Sequence, residues 1–167
     1  MQAIIRTLFD YNLWAHERVW ACILTLDDEQ FARHFDYSIG SVRTHIVHVL
    51  SVDNRWMARI AGTPVPPHLT PDSYPSASSV RADWVRMTGV QRQIVDGLSD
   101  EQLAEVIDYD MPNRGGMKHT ARWEILAHVV NHGTDHRSQM LSALYQLGAP
   151  TVEQDLMYYL WERPSGN

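Results

Sequence analysis

Ile4, Leu8, Tyr11, Ala15, Val19, Cys22 and Leu26 recur at steps of three and four residues, the spacing that lines one face of an α-helix. The stripe predicts a first helix that ends near Asp27 and Asp28. A second stripe of Val42, Ile46, Val49, Trp56 and Ile60 predicts another, opened by Ser38 or Ser41 as a cap and closed by Gly62. From Thr63 to Ser79 the chain carries Pro64, Pro66, Pro67, Pro71 and Pro75, and proline cannot donate to a helical ladder, so this stretch is a long crossover. Val80, Trp84, Met87, Ile94 and Leu98 mark a third helix, after which Ser99-Asp-Glu-Gln opens a short extra turn.

Between Val106 and His119, Tyr109, Pro112 and the Gly115-Gly116 pair indicate an irregular loop or a small hairpin. A fourth helix follows from about Thr120 to Leu147, stopped by Gly148 and Pro150, and Leu156, Tyr159 and Leu160 suggest a last short one. Four long helices with one long connection between the second and third describe an all-α fold, a four-helix bundle with a crossover and short extra segments. With 167 residues the whole chain, 1–167, forms one domain.

A net charge of −6 without a basic run argues against an extended nucleic-acid surface. Cys22 is the single cysteine, which excludes an internal disulfide, and its place on the apolar stripe makes it a core residue. Arg6, Asp10, His16, Glu17 and Arg18 interrupt any signal-peptide core, and no run reaches the roughly 18 apolar residues of a membrane span. A cytoplasmic protein without membrane partners is expected.

Nine histidines stand out, above all His128-Val-Val-Asn-His132-Gly-Thr-Asp-His136 and His45-Ile-Val-His48. Residues four apart share a helical face, so two imidazoles there can hold one metal ion if another helix supplies a third. At about 100° per residue, His136 lies roughly 60° from the apolar centre of the fourth helix, His132 roughly 100° and His128 roughly 140°. His128 is also about 12 Å along the axis from His136, so these three cannot share one ion. On the second helix His45 lies nearer the stripe centre than His48, yet that helix is apolar almost all round, and spacing leaves both open.

Asp53 falls in the middle of the second helix's apolar stripe, where a carboxylate needs a partner: an imidazole that binds metal, or an Arg or a neighbouring helix. Asp135, beside His136, is a surface acid or a support for that ring. Gly133 stands where a zincin protease has its Glu, so that chemistry is disfavoured. Trp14 and Trp56 are either core residues or the wall of a pocket above the metal.

Asp10-Tyr-Asn-Leu-Trp14-Ala, Ser41-Val-Arg-Thr-His45-Ile-Val-His48 running on to Asp53-Asn-Arg-Trp56, His128 through Gln139, and Gly148 with Asp155 together resemble the DinB family, the DinB/YfiT-like metalloenzymes, over nearly the whole chain. The resemblance implies a four-helix bundle holding a divalent metal, nickel or zinc, through one histidine of the second helix and two of the last long one. Carried onto this chain, the ligands are His48, His132 and His136. Two positions depart from the family pattern: Asp135 stands where a second histidine is common, and His45 where an aliphatic residue is usual.

Three neutral imidazoles leave coordination positions open, the pattern of catalytic sites. Related bundles include transferases that use low-molecular-weight thiols such as bacillithiol or mycothiol. The resemblance thus implies a metal-dependent thiol S-transferase acting on a small-molecule substrate, and a homodimer. The other readings are a non-catalytic metal-binding stress-response protein and a metal-dependent hydrolase. No catalytic acid or base can be assigned from the sequence.

Overall fold

The computed structural model describes residues 1–163. Its elements are α1 (Gln2–Ile23), α2 (Asp28–Ala32), α3 (Val42–Ala61), α4 (Ala77–Gly97), α5 (Asp100–Ala104), a hairpin of β1 (Val106–Met111) and β2 (Gly116–Ala121), α6 (Arg122–Gln146) and α7 (Leu156–Glu162). The fold is helical with one small two-stranded sheet. Among the described residues no helix is long and apolar enough to cross a membrane.

The caps explain where the elements begin. Ser41 accepts a hydrogen bond from the Thr44 N–H at 3.0 Å and opens α3, whereas Ser38 sits outside it at φ +54°. Gly62, at φ +68°, closes α3 in the left-handed conformation that glycine adopts without a Cβ clash. Asp27 and Gln30 exchange bonds across a capping box and start α2, so the first helix stops at Ile23, short of the expected Asp27. Phe31, fully buried, anchors this additional helix.

Residues 62–76 cross irregularly, with one 3₁₀ turn at Pro71–Ser73, and are tied to α3: Ser51 Oγ accepts from the Leu69 N–H at 3.0 Å, and Arg43 pairs with Asp72 at 3.0 Å. Ser76 then caps α4 at Ala77, earlier than the apolar stripe beginning at Val80 had indicated. The segment after α5 takes the hairpin form, with Val106 opposite Ala121 and Met111 opposite Gly116. Its second strand runs through Ala121, so α6 begins at Arg122 rather than Thr120, and the Glu124 carboxylate accepts from the Ala121 N–H at 2.9 Å.

The four long helices pack in a ring: α1 against α4 and α6, α3 against the same two. Along α1 the buried residues are Ile5, Phe9, Tyr11, Asn12, Ala15, His16, Val19, Trp20, Cys22 and Ile23, which include Tyr11, Ala15, Val19 and Cys22 of the expected stripe. Near the N-terminus the buried face is one residue out of register with that stripe, and Ile4 is 67% exposed where Ile5 is 5%. The half-buried Trp14 packs outside this face, its ring 5.7 Å from that of Tyr159 on α7.

Two apolar clusters fill the ring, one around Trp20, Ile46, Leu50, Trp84 and Leu144, the other around Phe9, Met57, Ile60, Val95 and Leu126. Between them, each long helix places a buried polar side chain: Asn12 and His16 from α1, Asp53 from α3, Gln91 from α4, His136 and Arg137 from α6. Burying polar groups at mid-core costs free energy unless they are paired, so the band marks a place where something other than packing is selected.

Candidate metal centre

His48 on α3 and His132 and His136 on α6 meet at one edge of this polar band, where the two helices pack. One ring nitrogen from each lies within 4.8 Å of the others, close enough to hold one metal ion. His48 Nε2 and His132 Nε2 are 3.2 Å apart. Two nitrogens bound tetrahedrally to zinc at ordinary lengths sit about 3.3 Å apart, so this pair already has the spacing of shared ligands.

The surroundings of His48 and His136 favour the neutral, metal-binding form. Burial first, then the neighbouring His132 and His68, lowers the His48 imidazole below its ordinary value. Burial, with the His132, His48 and His45 rings behind it, pulls His136 down to about 4. An imidazole kept unprotonated at neutral pH offers its lone pair to a cation without first losing a proton.

On the far side of His132, Nδ1 faces Asp53 Oδ1 at 3.6 Å, longer than a hydrogen bond, and neither buried atom has another partner among the described residues. When Nε2 binds a cation, the ring's proton has to sit on Nδ1, and Asp53 is the acceptor next to it. The donor set and this orphaned pair therefore fit a divalent ion. Burial raises the Asp53 carboxyl above its usual range, opposed by His132 and Arg137.

His45 is not among the converging ligands. Its Nδ1 lies 2.9 Å from His136 Nδ1 in a buried hydrogen bond. The two α3 histidines that the sequence left open thus take different places: His48 in the cluster, His45 behind it. Asp135 is exposed and accepts from Gln139 Nε2 at 2.9 Å, a contact along the surface of α6. His128 is exposed, its ring 5.7 Å from that of His132 and 5.5 Å from Trp56. Cys22 is buried in the first apolar cluster.

Sequence reasoning missed the remainder of the band. The fully buried Arg137 donates to Asn12 Oδ1, to Gln154 Oε1 at 2.6 Å and to Thr134 Oγ1 at 3.0 Å. Both nitrogens of His16 are buried without a partner among the described residues, and its ring packs 4.7 Å from Trp84. The series 5, 9, 12, 16, 19, 23 on α1 would have exposed Asn12 and His16 as inward-facing, had Ile5 and Phe9 been taken as its start in place of Ile4 and Leu8.

Comparison with known proteins supplies the family. The sequence profile of the DinB family matches residues 1–166. The chain belongs to the DinB family. This DinB-family chain is 26% identical over 159 residues to Protein DinB of Bacillus subtilis (strain 168), covering 92% of each. Its fold resembles the crystal structure of a DinB-like protein from Bacillus cereus ATCC 10987, with a TM-score of 0.67, 16% identity, and coverage of 84% of this chain and 92% of that one. A DinB family member from Shewanella denitrificans gives a TM-score of 0.58 at 14% identity, covering 94% of this chain and 89% of that one.

Proposed function

We propose that this DinB-family protein binds a divalent metal ion, nickel or zinc, through His48, His132 and His136, and uses it as a metal-dependent enzyme on a small molecule. The observation that carries the reading is the meeting of three ligand nitrogens within 4.8 Å, on two different helices. When bound, such an ion supplies a Lewis acid with open positions, able to lower the pKa of a thiol or a water.

The chain's own groups would hold the site in shape. Asp53 takes the proton side of His132, and His45 fixes the orientation of His136 by its Nδ1 contact. His48 and His132 are only half-buried, which leaves the cluster a face toward solvent and substrate. The leading reaction class is transfer of a low-molecular-weight thiol to an electrophile. In that role the half-buried face admits the thiol, while the buried His136 and Asp53 keep the far side dry.

Elemental analysis of the purified protein, alongside His48→Ala, His132→Ala and His136→Ala, tests the binding. One equivalent of metal in the parent and loss in all three folded variants is expected; retention in any of them removes that residue from the site. A panel of low-molecular-weight thiols and electrophiles tests the reaction. Tight metal binding with no metal-dependent conjugation would leave a storage or sensing role, and turnover of an ester or amide without thiol would mark a hydrolase.

A further inference from the structure

Beside the triad, a groove of about 220 Å³ opens between α3, the crossover and the hairpin, lined by Val52, Arg55, Trp56 and Arg59 from α3, His68 from the crossover and Met111 from β1. It continues outward along Arg55, Arg59 and Tyr109 into a wider, more open recess. His48, Val52, Arg55 and Arg59 follow one another at steps of four, three and four, so they share one side of α3. The two arginines lie about 10 and 16 Å along the helix axis from His48.

Two guanidiniums meet here without a carboxylate partner among the described residues. Arg55 donates to the Pro66 carbonyl; Arg59 donates to the Arg55 carbonyl at 3.2 Å and approaches Met111 Sδ at 3.6 Å. Arg59 is further held over the Trp56 ring, 4.8 Å from its centroid, and 5.7 Å from that of Tyr109. These contacts align the cations and leave their charge uncompensated. Several other arginines do have acid partners, as in Arg81 with Glu17, Arg92 with Asp10 and Arg43 with Asp72.

The arginine charges reach one another and His68. Burial, then the charge of Arg55, lowers the Arg59 guanidinium from its ordinary value, and burial followed by Arg55 and Arg59 lowers the His68 imidazole. Two exposed acids of the hairpin line the site, Asp110 in the groove and recess and Asp108 in the recess; Asp108 is engaged by His119 at 2.7 Å, and among the described residues neither forms an ion pair with Arg55 or Arg59. On a protein whose net charge is −6, two arginines without an acid partner among the described residues, Arg59 held on aromatic rings and Arg55 on the Pro66 carbonyl, are placed against the overall charge. An arginine fork matches a carboxylate or phosphate with two parallel N–H bonds.

We propose that this groove binds the carboxylate or phosphate end of an elongated small molecule, with Arg55 and Arg59 as the anion contacts, Trp56 and Met111 holding Arg59 in place, Val52 under the apolar stretch that leads back toward His48, and its reacting end at the triad. That the molecule is a substrate rests on the proposed function; the anion subsite itself does not.

The test is a chemical-shift titration of ¹⁵N-labelled, metal-stripped protein at constant ionic strength, with phenyl phosphate, phenylacetate and the neutral phenylacetamide as probes. Saturable shifts at Arg55, Arg59, Asp110, Met111 and Asn113 are expected with one or both anions and not with the amide. Which anion saturates first distinguishes phosphate from carboxylate. An Arg55→Gln, Arg59→Gln double variant should bind about tenfold more weakly or worse. Arg55→Lys, which keeps the charge and loses the fork, should fall between and serves if the double variant does not fold.

Because the titrated protein is metal-stripped, saturable anion shifts show that the subsite stands even where the metal reading is changed, and the same shifts in His48→Ala show that it does not depend on that ligand. No saturable shift with either anion, equal shifts with the amide, or unchanged affinity in the arginine variants would overturn the subsite.

Discussion

His45 Nδ1 sits 2.9 Å from His136 Nδ1, so an imidazole outside the converging triad holds one inside it. The bond fixes which nitrogen of His136 is engaged and the plane in which its ring lies, a role for which an aliphatic residue has no equivalent.

His45→Leu removes that contact and leaves a buried ring nitrogen without a partner. Outer-shell partners of metal ligands are typically worth roughly 10- to 100-fold in metal affinity, and a loss of that order is expected by chelator competition. His45→Gln, which can again donate or accept, should recover part of it. Equal affinity in the leucine variant would mean that packing alone positions His136.

Gly133 lets α1 approach α6: a Cβ there would lie 2.5 Å from Asn12 Oδ1, 2.9 Å from Arg137 Nη1 and 3.0 Å from His16 Nε2. Gly133→Ala gains helix propensity of about 1 kcal/mol, against overpacking of about 1–3 kcal/mol and a weakened Arg137–Asn12 hydrogen bond of about 1.5–3 kcal/mol. The clash wins, and urea denaturation should show a net loss of about 2 kcal/mol. A variant as stable as the parent would show that the helices move apart freely.

Burial, then the charges of Arg137, His132 and His136, holds the His16 imidazole well below its ordinary value of 6.5. As pH falls through 6.5, the unfolded chain takes up a proton at this residue that the folded chain refuses, so stability declines from there down to the folded pKa. Above 6.5 both states are neutral and the contribution is complete. In metal-free protein, His16→Gln should flatten the slope of unfolding free energy against pH below that point by about 1.4 kcal/mol per unit. Parallel slopes for parent and variant would place the titration elsewhere.

Much of the helical framework was legible along the chain. The three-and-four periodicity located α1, α3, α4 and α6, Ser41 and Gly62 bounded α3, and the prolines of 63–79 marked the crossover. The inward placing of His132 and His136 followed from one helix's own geometry, since residues four apart share a face whatever lies opposite. Asp53 was conspicuous for a similar reason, as a carboxylate in the middle of an apolar stripe, and it is buried at 3% exposure.

What periodicity could not reach lies between elements. It missed the register of α1 by one residue at Ile4, because Ile4 and Ile5 are both apolar, and with it the inward turn of Asn12 and His16. His45 and His48 are both compatible with an apolar helix, and only the rotation of α3 against α6 sends one into the cluster and the other behind it. Arg55 and Arg59 share a face of α3 by their spacing alone, but the groove beside them exists only once the hairpin folds over that helix. A sequence pattern reports which face of a single element is buried; which side chains meet across elements depends on interhelical angle, rotation and distance, and these are set by long-range packing that no local period encodes.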